Sequence, residues 1–273
     1  MTDYTTWKPD DAAKQIAVPG QGDDKYSRGV LGVITGSDQY PGAAVLGVEA
    51  ALRTGVGMVR YLGGERVSTL VLQRRPEAVA SEGRVQAWLI GSGMDHASRD
   101  DRAVAQSTLA IAQALPTVLD GGALDLHESA VGPVVITPHF GELARVLGVD
   151  KADIAAEPAT WAARASERLG VTVLLKGHST FVVGGGLALV ASSAPTWLAT
   201  AGAGDALAGI LGALVATHSD EIAADPAALA RLAASASVIH GLAAQRASRG
   251  GPLTVLDLAQ EVSGTIAGLL ASS

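Results

Sequence analysis

No cysteine occurs in the chain. Disulfide bonds and thiolate chemistry are therefore excluded, and the composition suits a cytoplasmic protein. Aromatic residues are scarce, at 4%, so the core must be aliphatic and rich in alanine, with closely packed helices. There is no basic cluster and the net charge is −7, which argues against nucleic acid as a partner. Long apolar runs are also missing. The longest, Ala206 to Ala216, falls short of the roughly 20 residues that span a bilayer, so no membrane partner is expected. The polar segment Met1 to Asp11 holds no apolar signal region. The Walker lysine motif, the dinucleotide glycine fingerprint, HExxH and GxSxG are absent. His96, His127, His218 and His240 are scattered without metal-ligand spacing.

What is present is a globular chain of 273 residues, 48% of them hydrophobic and 17% charged. It is organised around Thr200-Ala-Gly-Ala-Gly-Asp-Ala-Leu-Ala-Gly-Ile-Leu-Gly212. Small residues fill Thr200 to Gly204, and Gly202 and Gly204 let the backbone turn sharply and approach a ligand. The run Ala206 to Ala216 reads as a buried helix. The first amides of a helix have no internal partner and carry partial positive charge, which makes an anion site. Asp205 falls on that first turn, as either an N-terminal cap or a catalytic base.

Elsewhere the pattern alternates strand and helix. Arg28 to Thr35 reads as a strand, Ala43 to Thr54 as a helix and Gly57 to Leu62 as the next strand. Val85 to Ile90 is a strand before Gly91-Ser-Gly93, followed by a helix from about Asp100 to Leu115. Short strands at Thr117 to Leu119 and Val134 to Thr137 end at Asp120 and at Pro138-His-Phe-Gly-Glu142. Pro158 to Leu169 is helical, and Val171 to Leu175 is a strand ending in Lys176-Gly177. A hairpin follows, Thr180 to Val183 with Leu187 to Val190. Three helices close the chain: Asp205 to Thr217, Pro226 to Ala247 and Thr254 to Leu270. Met1 to Tyr26 shows little periodicity and reads as an extended or loosely helical lead-in. This order points to one α/β domain, 1–273, with a mainly parallel sheet. Ligands of such sheets bind beyond the carboxyl ends of the strands. Gly36-Ser37, Gly91 to Gly93, Asp120, His139, Lys176 and Asp205 are all expected at such ends.

Each motif has a plainer reading. Lys176 could meet a phosphate or be a solvated lysine in a strand turn. His139 could contact a substrate, and Glu142 could bind magnesium through water or merely complement a helix dipole.

Taken together, Gly36-Ser-Asp-Gln-Tyr-Pro-Gly-Ala-Ala44, Thr137-Pro-His-Phe-Gly-Glu142, Lys176-Gly-His-Ser-Thr180 and Gly202-Ala-Gly-Asp-Ala-Leu-Ala-Gly209 resemble, in order and spacing, the ADP/ATP-dependent NAD(P)H-hydrate dehydratases of the ribokinase-like superfamily. The resemblance runs from about Arg28 to the C-terminus. The Gly-Asp-x-Leu-Ala-Gly turn is shared across the superfamily, whereas the Tyr-Pro-Gly-Ala and Thr-Pro-His-x-Gly-Glu loops are closer to the dehydratases. Three departures stand out. Residues 91–93 read Gly-Ser-Gly where Gly-Pro-Gly is usual. Residues 120–124 read Asp-Gly-Gly-Ala-Leu where Asp-Ala-Asp-Ala-Leu is usual, so Gly122 replaces a second acid. Residues 201–204 read Ala-Gly-Ala-Gly where Gly-Gly-Ser-Gly or Gly-Gly-Thr-Gly is common.

The resemblance implies a three-layer α/β/α fold with a mainly parallel central sheet. It also implies a repair enzyme that restores NAD(P)H from the S epimer of its hydrate, using ADP, or ATP, as phosphoryl donor, with magnesium, and releasing AMP and phosphate. Asp205 would be the base, and Gly202, Ala203 and Gly204 the anion hole. Lys176, Gly177, His178, Ser179, Thr180 and Gly204 would line the nucleotide. Ala43, Gly93, His139 and Asp205 would line the hydrate, with Glu142 near the metal. A homotetramer is expected, as in relatives, and the Ala-rich helix Ala227 to Ala247 offers flat apolar surface for it. A separate NAD(P)H-hydrate epimerase is the expected functional partner, since 273 residues leave no room for the epimerase domain fused ahead in some relatives. The alternatives are a small-alcohol kinase of the thiazole or pyrimidine type, which would share Asp205 but keep its phosphorylated product, and a nucleotide-sensing protein without turnover.

Overall fold

The computed structural model describes residues 2–272; Met1 and Ser273, at the ends of the expected domain, lie outside the described residues. Nine strands form one sheet: β1 (Thr5–Thr6), β2 (Val30–Ile34), β3 (Met58–Tyr61), β4 (Ala87–Ile90), β5 (Thr117–Leu119), β6 (Val134–Ile136), β7 (Thr172–Leu175), β8 (Thr180–Gly184) and β9 (Leu187–Ala191). Their order is β1-β9-β8-β7-β6-β5-β4-β2-β3. From β3 to β7 all neighbours are parallel. β8 runs antiparallel to β7 and β9, and β1 lies parallel to β9 at the edge.

The helices are α1 (Pro9–Ala13), α2 (Pro41–Thr54), α3 (Glu65–Arg74), α4 (Asp101–Ile111), α5 (Phe140–Leu147), α6 (Lys151–Ala156), α7 (Pro158–Leu169), α8 (Ala203–Thr217), α9 (Ser219–Ala224), α10 (Ala228–Ser248) and α11 (Val255–Ser272). Alternation along the strands feeds both faces of the sheet. Leu31 and Val33 of β2 join a core with α2, α3, α8, α10 and α11. Val30 and Ile34 join a second core with α4, α5, α6 and α7. The result is the expected three-layer α/β/α arrangement. Among the described residues no helix is long and apolar enough to cross a membrane.

The buried run Ala206 to Ala216 is the middle of α8, as its composition predicts. It packs against α2 at close range because Gly209 presents no side chain there; a Cβ would overlap the Gly47 backbone. This contact sets the middle of α2 against the first turns of α8, with Gly47 facing the Asp205 carbonyl and Leu46 packing on Gly202.

Three expectations change. The lead-in is ordered architecture: β1 extends the sheet edge, α1 packs on α10 and α11, and the Trp7 indole donates to Ser235 Oγ at 2.9 Å. A two-residue strand and a five-residue helix are too short to show periodicity. The Ala-rich helix α10 offers no free apolar face, because α1, α8 and α11 cover it within the chain. The helix expected up to Leu115 stops at Ile111; Ala114 takes a positive φ of 55°, and Leu115 precedes Pro116, a position that disfavours helical geometry. Helices α3, α6 and α9 were not legible in the sequence pattern.

Candidate active site

The strand ends of β2, β4, β5, β6 and β7 share one edge of the sheet, and they carry Gly36, Ser92, Asp120, Thr137 and Lys176. Asp120 is the hub. It is 3% exposed and accepts three hydrogen bonds, from Ser92 Oγ (2.8 Å), Thr137 Oγ1 (2.7 Å) and Lys176 Nζ (2.8 Å). Burial alone would raise its pKa, but the Lys176 charge and the two hydroxyls hold the carboxyl below its usual range. Lys176 is not a solvated lysine. Its Nζ also lies 3.8 Å from Glu142 Oε2 and 3.3 Å from where a Cβ would stand on Gly204. Burial works against its charge, yet Asp120, Glu142 and Asp205 together raise its pKa.

Two departures from the usual family pattern meet at this hub. Ser92, where proline is usual, is the residue whose hydroxyl binds Asp120. Gly122, where an acid is usual, has the Met94 backbone packed against it, so a side chain there would collide with the Met94 carbonyl.

The N-cap of α8 is Gly202, in the left-handed region at φ 90° and without a side-chain cap bond. The amides of Gly204 and Asp205 find no backbone acceptor, whereas that of Ala203 reaches the Thr200 carbonyl at 3.4 Å. Asp205 therefore caps nothing. Burial pushes its pKa up to about 6; the Asp120 and Glu142 charges add to this and Lys176 opposes it. A carboxylate poised near neutral pH beside free helix amides can accept a proton where negative charge is stabilised.

At α5, His139 and Glu142 form a reciprocal cap. The Glu142 amide donates to His139 Nδ1 (3.1 Å), and the His139 amide donates to Glu142 Oε2 (2.8 Å). With Nδ1 accepting, a neutral His139 carries its proton on Nε2, as a donor. The helix-terminal reading of Glu142 is thus realised. Among the described residues no three His, Asp or Glu side chains converge to hold a metal ion.

A cavity of about 510 Å³ opens at this edge, with His139, Lys176, Gly177, Thr180, Ala203 and Gly204 in its wall. These are expected site residues brought together from three segments of the chain. His178 is exposed and Ser179 Oγ pairs with Ser192 Oγ at 3.0 Å; neither is in this wall. Ala43 and Gly93 stand against each other at a different place, near a second hollow of about 360 Å³ lined by Tyr40, Met94, Gly122 and Glu142. The Lys176–Glu142 contact lies between the two hollows. Sequence reasoning undervalued Asp120, whose only signal is an acid at a strand end. It met Ser92 only as a departure from the usual pattern and His240 only as a scattered histidine, and gave neither a role; an isolated histidine in an Ala-rich helix carries no signal of its own.

A family model described as NAD(P)H-hydrate dehydratase matches residues 31–268. The chain belongs to the NAD(P)H-hydrate dehydratase family. Within it, the chain is 33% identical over 284 residues to the ADP-dependent (S)-NAD(P)H-hydrate dehydratase of Xanthomonas campestris, covering 95% of this chain and 94% of that protein. It is 39% identical over 229 residues to the bifunctional NAD(P)H-hydrate repair enzyme Nnr of Mycobacterium tuberculosis, covering 79% of this chain and 47% of that protein. The chain thus spans about half the length of such bifunctional relatives. A solved structure of the ADP/ATP-dependent NAD(P)H-hydrate dehydratase of Bacillus subtilis, co-crystallized with ATP/Mg2+, superposes with a TM-score of 0.86 at 24% identity, covering 98% of this chain and 100% of that one. The ribokinase-like fold extends to other solved neighbours.

Proposed function

We propose that this chain, acting as one domain, dehydrates the S epimer of NAD(P)H hydrate, with ADP or ATP as phosphoryl donor. The observation that carries the reading is Asp205: a carboxylate free of any capping role, raised to about 6, next to idle helix amides and the Lys176 ammonium. Asp205 takes the proton of the substrate's ring hydroxyl as its oxygen bonds to the terminal phosphorus of the nucleotide and the bond to the leaving nucleotide breaks. The Gly204 and Asp205 amides hold charge on the transferred group. The Ala203 amide, already turned to Thr200, contributes less. Lys176 stands ready for the phosphates. The carbon–oxygen bond of the phosphorylated hydrate then breaks, phosphate leaves with the bonding pair, and loss of a ring proton restores NAD(P)H. Phosphate is a far better leaving group than hydroxide, which is why the phosphoryl group is spent.

The wall of the larger cavity, with Lys176, Gly177, Thr180 and Gly204, suits the nucleotide; Ala43 and Gly93 by the second hollow, with His139 at the rim of the larger cavity, suit the hydrate. Magnesium fits this donor set when phosphates and water supply most of its ligands, with Glu142 at its edge. When bound, it neutralises phosphate charge. Family membership favours this reading over a small-alcohol kinase. The homotetramer and the partnership with an NAD(P)H-hydrate epimerase are part of the same proposal. Incubation with NADH hydrate, magnesium and ADP, followed by absorbance of restored NADH and release of phosphate, tests it. A retained phosphorylated product, or nucleotide binding without turnover, would overturn it.

A further inference from the structure

One polar side chain in the wall of the larger cavity has no task in the proposed reaction. His240, in the middle of α10, is 6% exposed. Its Nε2 is shielded from solvent and meets no hydrogen-bond partner among the described residues. The ring lines the same cavity as Lys176, Ala203 and Gly204, and Ser237, one turn earlier on the helix, lines it too. Helix α10 approaches the chain closely beside this wall, since Gly241 lies against the Ser193–Ala194 backbone, with only 2.8 Å from a Cβ position to the Ser193 carbonyl carbon.

The chemistry narrows what the ring can meet. Burial brings its pKa down to about 4, with the Ala203 carbonyl opposing and Lys176 reinforcing the shift, so the ring is neutral at physiological pH. A neutral imidazole offers no charge to a phosphate. One nitrogen donates and the other accepts, and the Ala203 carbonyl favours the tautomer whose N–H faces it. A hydroxyl both donates and accepts, so it matches either tautomer. In a nucleotide whose phosphates lie at the first turn of α8 and at Lys176, the group joined directly to the phosphates is the ribose.

We propose that His240 hydrogen-bonds a ribose hydroxyl of the nucleotide and selects ribonucleotides over deoxyribonucleotides. This rests on the larger cavity being the nucleotide site. The test is calorimetric titration of ADP, 2′-deoxy-ADP and 3′-deoxy-ADP into the parent and into His240→Phe, which keeps a ring and removes both nitrogens. The parent should bind one deoxy form about tenfold more weakly than ADP. His240→Phe should lose a similar factor for ADP and treat that deoxy form and ADP alike. His240→Leu replaces the phenylalanine variant if the latter melts far below the parent. A variant that still discriminates as the parent does, or a parent that binds ADP and both deoxy forms equally, overturns the proposal while leaving the nucleotide site intact. A parent that binds no ADP overturns the nucleotide reading of the cavity, and His240's role with it.

Discussion

Replacing Asp205 by asparagine separates catalysis from stability. Burial and the neighbouring acids raise the Asp205 pKa from 3.8 to about 6. At about 1.4 kcal/mol per unit, ionised Asp205 costs the folded state up to about 3 kcal/mol at pH 7. Solvent reaching the partly exposed carboxylate reduces this, and losing a negative charge from the helix N-terminus gives back about 0.3–1 kcal/mol. Asp205→Asn should therefore be more stable than the parent by about 1–2 kcal/mol at pH 7.5, or roughly 2–4 °C in Tm for a chain of this size. The folded pKa lies above the unfolded one, so the parent keeps its full stability below about pH 4 and loses it as the pH climbs through about 6. The difference between the two proteins should vanish at pH 4. Turnover should fall by about 10²–10⁴, the usual worth of a positioned base. Thermal melts at both pH values and the NADH-restoration assay are the measurements. A mutant that melts below the parent at pH 7.5, or whose gain persists at pH 4, would refute the electrostatic argument. Near-parental turnover would refute the base.

The same pKa requires kcat/KM to fall as the pH drops through about 6, since protonated Asp205 cannot accept a proton; a profile flat down to pH 5 contradicts this. Asp120→Asn takes the nearest anion from the half-buried Lys176 ammonium, leaving Glu142 at 3.8 Å, and should cost about 3 kcal/mol in a denaturant melt, with the double variant Asp120→Asn, Lys176→Met recovering much of it. An equal loss in the double variant would show that the pair is not the cause. Glu49, fully buried among Arg53, Arg74 and Arg75, has its pKa held down to about 2, since those guanidiniums outweigh its burial. Its stabilisation is present above the unfolded value of 4.5 and is lost only as the pH falls through about 2. Glu49→Gln should therefore destabilise by about 3 kcal/mol at pH 7, and an unchanged melt would contradict the geometry. Light scattering should return the mass of a tetramer, and a monomer at micromolar concentration would end that proposal.

Much of this protein is legible without coordinates. The strand–helix alternation and the buried character of Ala206 to Ala216 follow from apolar periodicity, which burial rewards wherever the segment ends up. The Gly202 to Asp205 turn declares an anion site because glycine spacing and a helix start are local facts. What the sequence could not decide are relations between segments far apart in the chain. Whether Asp205 caps its helix depends on Gly202 adopting a left-handed turn under Leu46 of α2. Whether Lys176 is solvated depends on Asp120, 56 residues earlier, standing at the next strand end but one. The lead-in is invisible because its strand and helix are stabilised by β9, α10 and α11 rather than by their own propensity. His240 gains a chemical character only because α8 and Lys176 close over it. Local pattern determines which elements form, since the hydrophobic period acts within a segment. Tertiary contact determines which polar side chains share a low-dielectric space, and that sharing sets their charge and hence their chemistry.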